Sequence, residues 1–184
     1  MVRCFSVPFL ILGLSILSVC NCGYFIPADE NFSFPRTPYT RNDIQIDGYY
    51  IQTDSAITGD SKSSILFFYR NGVVLNCGGI YQSELIAKEE RFKNGQYYAA
   101  VKDNKNAWGV FKIDSLALNM TFEWWRNING SFRVIRYSGE ILNDTTIHFT
   151  SSERIGGAAY TPEDLIYHFK QFGPKPDSVV SFIP

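Results

Sequence analysis

The stretch SILFFYRNGVVLN, residues 64–76, is the strongest indication of the fold. Two apolar runs flank Asn71 and Gly72. Asn-Gly is typical of a two-residue β-hairpin turn, because both residues tolerate positive φ. The pattern therefore predicts two antiparallel strands joined by a type I′ turn at Asn71-Gly72.

Alternation with a period of two recurs along the rest of the chain. The clearest case is LALNMTFEW, residues 116–124. One face carries Leu116, Leu118, Met120, Phe122 and Trp124, and the other carries Ala117, Asn119, Thr121 and Glu123. Such alternation predicts a strand with one face toward the core and one toward water. The runs IDGYYIQT, WGVFKI, SFRVIRYSGEIL and TTIHFT are also short and bounded by turn residues. Together they indicate an all-β fold, either an antiparallel sandwich or a closed barrel.

Two segments depart from this pattern. In YQSELIAKEERFKNGQYY, residues 81–98, a charged run interrupts the apolar positions, and we predict a loop with a partial strand. TPEDLIYHFKQF, residues 161–172, begins like a helix, with Thr161 as N-cap and Pro162 at the first helical position. Tyr167 and Phe169 nevertheless alternate with polar residues, and a barrel needs a closing strand. We therefore predict a strand over residues 165–172.

The N-terminus has the composition of an export signal. After Arg3, the run FSVPFLILGLSILSV contains no charge and is too short to span a bilayer comfortably. It leads into Leu17-Ser18-Val19-Cys20, which resembles the lipidation site of bacterial lipoprotein signals. We predict a signal peptide over residues 1–19 and a lipid anchor on Cys20. The protein would then be held on a bacterial envelope membrane, either in the periplasm or on the surface.

Two alternatives remain open at the cysteines. Cys22 is the second candidate for lipidation. If the signal is instead cleaved in the ordinary way, Cys22 could pair with Cys77 as a disulfide. Residues 20–43, rich in Pro, Asn and Asp, are predicted to form a tether, unless their Phe and Tyr side chains dock on the domain. The folded domain is predicted to span residues 44–184.

Several short motifs occur in a defined order between residues 48 and 178. They are Gly48-Tyr49-Tyr50, Phe68-Tyr69 before Asn71-Gly72, Trp108-Gly109, GEILNDTTIHF and Lys175-Pro176-Asp177-Ser178. In this order they resemble uncharacterised envelope lipoproteins of Bacteroidetes-type bacteria with a lipocalin-like (calycin-like) barrel. The resemblance implies an antiparallel up-and-down barrel of about eight strands on a lipid tether, and it transfers no activity.

The chain departs from true lipocalins at two points. Their first strand carries Gly-x-Trp, whereas Gly48-x-Tyr50 stands here. They also place a later Arg over that aromatic ring, and the sequence assigns neither Arg133 nor Arg136 to this role.

Composition and isolated motifs argue against several classes of function. A formal net charge of −1 and a pI near 6.1 leave no basic field for a phosphate backbone, so we expect no nucleic-acid partner. Gly59-Asp60-Ser61 is similar to the start of one esterase motif, but Lys62 follows where that motif has Leu. The two histidines, His148 and His168, lack metal-ligand spacing. We expect no catalytic residue, metal or cofactor.

The sequence favours a non-enzymatic binding protein. Its ligand would be a small apolar molecule or an envelope protein, and the predicted lining of a barrel cavity is Tyr50, Phe68, Trp108 and Phe132. The alternative is an inhibitor or carbohydrate-binding module with a filled barrel that acts through its surface. In that case the outward-facing member of the Trp124-Trp125 pair would matter most.

Overall fold

A computed structural model describes residues 28–52, 62–157 and 160–184. Eight strands form a closed antiparallel barrel in which β1 also pairs with β8. The strands are β1 (Gly48–Gln52), β2 (Lys62–Phe68), β3 (Val73–Tyr81), β4 (Trp108–Asp114), β5 (Asn119–Ile128), β6 (Ser131–Asn143), β7 (Thr146–Arg154) and β8 (Tyr160–Gln171). The predicted all-β up-and-down barrel is confirmed and is consistent with a lipocalin-like barrel. The strand predicted over residues 165–172 lies almost entirely within β8.

The turn at Asn71-Gly72 differs from the predicted type. Gly72 has φ of 83°, but Asn71 does not have positive φ, so the predicted type I′ turn is wrong. A bond from Gly72 N–H to Tyr69 O closes the turn, and Tyr69 N–H then donates to Val73 O. This is a three-residue loop with a glycine bulge. Both residues of Asn129-Gly130, between β5 and β6, have positive φ, at 53° and 84°.

The strand predicted from Leu116 begins later, at Asn119. The carboxylate of Asp114 accepts hydrogen bonds from the backbone N–H groups of Leu116 and Ala117 and holds them in a turn. Leu116 is consequently 99% exposed. Local side-chain bonding therefore overrides the apolar alternation at this end of the strand.

The segment predicted as a loop with a partial strand is mainly helical, which corrects that prediction. A 3-10 turn (Gln82–Glu84) leads into α1 (Leu85–Lys93) and α2 (Gln96–Val101), and a second 3-10 turn (Lys105–Ala107) precedes β4. Phe92 and Tyr97 are buried against the outside of the barrel, where the Phe92 ring lies 5.0 Å from that of Phe67. Tertiary packing of these two rings explains a helix whose own sequence is mostly charged. Within the described ranges, neither helix is long and apolar enough to cross a membrane.

The barrel has two apolar clusters, one on each side of its wall. The inner cluster draws on all eight strands and is closed at one end by Tyr39, Ile44 and Ile46. The outer cluster lies between the strands and the covering segments, which are α1, α2 and the described chain ends. Cys77 belongs to the outer cluster as a free thiol, and burial raises its pKa to about 12. The alternative pairing of Cys77 with Cys22 thus gains no support, although Cys22 lies outside the described residues.

Candidate functional site

The barrel interior is filled at its closed half. Inward-facing rings there are buried and interlocked, with Phe68 5.0 Å from Phe111 and Phe122 5.0 Å from Phe149 between ring centroids. Phe149 and Phe122 have exposed fractions of 0% and 2%, so they separate this half from the other end of the barrel. The closed half therefore acts as a packed core.

A lysine secures the closed end. The Nζ atom of Lys175 donates to the carbonyl oxygens of Ile46 at 2.6 Å and Phe68 at 2.8 Å, and it lies over the ring of Tyr69. Burial lowers the pKa of Lys175 to about 8. Two basic residues lie over aromatic rings at this end, Lys175 over Tyr69 and Arg70 over Tyr39. Arg133 and Arg136 instead form ion pairs with carboxylates of other segments.

The other end of the barrel, toward which β1 and β3 run, is less tightly packed in the described part of the chain. Its inward-facing side chains are half-buried although they lie inside the barrel wall, in contrast to the sealed rings below. They include Trp124 of β5, Tyr137 of β6 and Leu165 of β8, which pack on the inner cluster, and Ser152 of β7 and Glu163 of β8 beside them. We call this set the open cup. Its floor is the Phe122-Phe149 layer, and its walls are half-buried.

Trp124 carries a polar atom that is not used inside the protein. Its Nε1 atom is buried and has no hydrogen-bond partner. The other two indoles do have one, because Trp108 Nε1 donates to Val101 O and Trp125 Nε1 donates to Glu30 O, each at 2.8 Å. A buried indole N–H normally finds an acceptor, so an unpaired one indicates a site for a bound molecule or water.

The backbone makes room for Trp124 on the neighbouring strand. Gly109 of β4 pairs with Trp124, and a Cβ atom at Gly109 would lie 2.9 Å from the Trp124 Cβ and 2.0 Å from Glu123 O. Any other residue at position 109 would force the strands apart. The close approach of β4 and β5 thus depends on this glycine and fixes the place of the indole.

Charged groups of both signs border the open cup. Ser152 Oγ donates to Glu163 Oε1 at 2.6 Å, which holds this carboxylate beside Tyr137. Burial chiefly raises the pKa of Tyr137; the negative charge of Glu163 adds to the rise, and the positive charge of Arg126 opposes it. Arg126 is exposed, two residues beyond Trp124 on the same face of β5, and forms no hydrogen bond or ion pair with the described residues.

The four predicted lining residues divide between the two sides of the wall. Tyr50 and Phe68 face inward, but they belong to the filled half and are buried. Trp108 and Phe132 lie on the outer side, Trp108 beneath α2 and Phe132 beside Lys105, which corrects their predicted placement in a cavity. The error has a physical cause: both faces of these strands are apolar because helices and chain ends cover the outside.

The residues of the open cup other than Trp124 were not singled out by sequence. Tyr137, Ser152, Glu163 and Leu165 come from three strands whose registers shift at bulges, between Ser138 and Gly139 and between Phe149 and Ser151. A bulge moves the following residues to the opposite face. Alternation along single strands therefore carries no signal that would bring them together.

Trp124 and Trp125 point to opposite sides of the barrel wall, as predicted, and Trp125 is the outward ring. It is not an open platform, since Phe32 and Phe182 cover it at ring distances of 4.0 and 5.8 Å. A groove of about 360 Å³ runs beside these rings and is lined also by Phe34 and Pro184.

Residues 28–43, part of the predicted tether, lie against the barrel. Ser33 binds Glu123 through both its backbone N–H, at 2.7 Å, and its hydroxyl, at 2.6 Å. Glu123 also accepts from Arg136 and is 0% exposed, so the face predicted to meet water is covered at this point. Glu30 accepts from Val134 N–H and pairs with Arg154.

The histidines face away from the open cup. His148 Nε2 lies 2.9 Å from Asp164 Oδ1, and His168 Nδ1 lies 3.4 Å from Thr146 Oγ1. Among the described ranges, His, Cys, Asp and Glu side chains form no group of three or more arranged to hold a metal ion. Gly59-Asp60-Ser61 and the candidate lipidation sites Cys20 and Cys22 lie outside the described residues.

No known protein family matches the chain, and no match to it was found among curated proteins or solved structures. The architecture and the side chains of the open cup are thus the basis for inferring a function.

Proposed function

We propose that this protein is a lipid-anchored bacterial envelope protein that binds a small apolar ligand in the open cup and catalyses no reaction. The supporting observation is the contrast inside one barrel: sealed rings fill the closed half, whereas Trp124, Tyr137 and Leu165 stay half-buried above them. Small-molecule sites are typically concave and apolar, with a few polar groups that fix orientation. The free indole N–H of Trp124 and the Ser152-Glu163 pair are such groups.

The envelope location rests on the sequence. The uncharged leader and Leu17-Ser18-Val19-Cys20 support lipidation at Cys20, as does the similarity to Bacteroidetes-type lipoproteins. The test is the denatured mass of protein purified from its own host. Lipidation predicts residues 20–184 plus acyl chains, and an unmodified mass would contradict it.

Binding in the open cup is tested by native mass spectrometry with two matched variants. Leu165→Trp adds bulk inside the open cup, whereas Ile166→Trp adds the same bulk on the opposite face of β8. The proposal predicts a bound mass in the native spectrum of the unchanged protein that disappears on denaturation. Leu165→Trp should lose it and Ile166→Trp should keep it. Equal retention in both variants, or no bound mass at all, would contradict the proposal.

A second candidate function uses the outer groove beside Trp125. The filled closed half and the groove of about 360 Å³ favour a module that binds through its surface. In that case, Phe34→Ala should abolish binding of the partner while Leu165→Trp leaves it unchanged.

A further inference from the structure

We propose that the ligand of the open cup is an amphipathic organic anion, with its apolar body on Tyr137 and Leu165 and its acidic headgroup bound by Arg126 and the Trp124 indole N–H. This inference rests on the proposed function and specifies the chemical class of the ligand. It follows from the arrangement of unpaired donors on one strand.

The first observation is that β5 carries on one face two donors that are unpaired among the described residues, the buried indole N–H of Trp124 and the exposed guanidinium of Arg126. Trp124 and Arg126 are two residues apart, so their side chains leave the strand on one face. The indole Nε1 has no acceptor, and the guanidinium has no carboxylate within the described part of the chain. Nearby arginines differ in this respect, because Arg133 and Arg154 both pair with Glu30.

The second observation places Arg126 on the inward face of β5 near this end of the barrel, because Phe122 pairs with Tyr137 and Arg126 lies four residues farther along on the same face. The positive charge of Arg126 also opposes the rise in the pKa of Tyr137, whose ring lies on the neighbouring strand β6. A headgroup oxygen near Tyr137 would therefore lie within the field of Arg126. Hydrogen bonds from a charged donor to an anion are about twice as strong as neutral ones, and a half-buried site strengthens them.

The third observation fixes the direction in which the ligand lies. Glu163 is held next to Tyr137 by Ser152 and forms no ion pair with Arg126. Its negative charge repels an acidic headgroup from the β8 side. The headgroup therefore lies on the β5 side, and the apolar body lies over Leu165 and the sealed floor.

Two fluorescent probes with the same apolar body test the inference. N-phenyl-1-naphthylamine is neutral, and its 8-sulfonate derivative is anionic. Both are titrated into the full chain, into Arg126→Gln and Arg126→Lys, and into Arg36→Gln. Arg36 is a matched control because it lines the outer groove and its removal changes the net charge equally. Circular dichroism checks that each variant is folded.

The expected result is one binding site per chain and affinity for the sulfonate about tenfold higher than for the neutral probe. Arg126→Gln should remove most of that difference without weakening the neutral probe, and Arg126→Lys should restore part of it. Equal affinities that Arg126→Gln leaves unchanged would overturn the headgroup inference while leaving the proposed function intact. Loss of sulfonate binding in Arg36→Gln alone would also overturn it, since the probe would then lie in the outer groove. Failure of both probes to bind stoichiometrically would overturn the proposed function itself.

Discussion

The rings of Phe122 and Tyr137 are stacked, with centroids 5.0 Å apart and planes 5° from parallel, and they mark the boundary between the two halves of the barrel. Phe122 belongs to the sealed floor, whereas Tyr137 is half-buried. The same barrel thus combines a packed core that stabilises it with an open cup that can bind a ligand.

Removing the floor ring should destabilise the protein strongly. Phe122→Ala leaves a cavity among buried rings, and we expect the free energy of unfolding to fall by about 3–5 kcal/mol. Leu116→Ala is the control, because Leu116 is 99% exposed and its loss should change stability by less than about 0.5 kcal/mol. Urea denaturation measures both. Similar small losses in the two variants would show that the closed half is not packed as described.

The N-terminal segment should depend on one buried carboxylate. Glu123→Gln removes the charge that pairs with Arg136 and weakens the bonds to Ser33, so we expect a loss of about 3 kcal/mol in the free energy of unfolding. Glu153→Gln removes the exposed partner of the same guanidinium and should cost less than about 1 kcal/mol. Proteolysis near Ser33 should accelerate only in Glu123→Gln. If it accelerates equally in both variants, Glu123 does not hold the segment.

Lys175 should make stability rise with pH in a defined window. Its pKa is lowered from 10.5 to about 8 in the folded protein. Between these values the unfolded chain holds a proton that the folded protein has lost, so the folded state gains stability as pH rises. Below about pH 8 both states are protonated and this contribution is absent.

The measurement compares the unchanged protein with Lys175→Met in urea at several pH values from 7 to 10. Burial raises the pKa values of Cys77 and several tyrosines, which affects both proteins equally, so the difference between them isolates Lys175. The difference should move in favour of the unchanged protein above pH 8. Parallel curves would show that Lys175 is not desolvated.

Period-two alternation was sufficient to predict the barrel strands, because turn residues separate them and few helices intervene. It could not assign the two faces of a strand. Neighbouring pairs such as Tyr49-Tyr50 and Phe67-Phe68 are buried on both sides, since helices and chain ends cover the outer wall. The misplacement of Trp108 and Phe132 has this origin.

The two helices were missed for a related reason. Their burial depends on a few rings, mainly Phe92 and Tyr97, and the barrel residues they cover, such as Phe67, lie far away in the sequence. The sequence could not predict the open cup either. Trp124 was recognised as one of two opposed rings, but its unpaired Nε1 is a property of three-dimensional packing.

The most direct test is the indole region of a proton-nitrogen correlation spectrum, recorded as the anionic naphthalene probe is added. The chain has three tryptophans, and Trp124→Phe assigns the signal that matters. We expect the Trp124 N–H resonance to shift as it gains an acceptor. Those of Trp108 and Trp125 should stay in place because each already donates to a backbone carbonyl. A Trp124 resonance that is unmoved at saturation, or a shift at Trp125 instead, would contradict binding in the open cup.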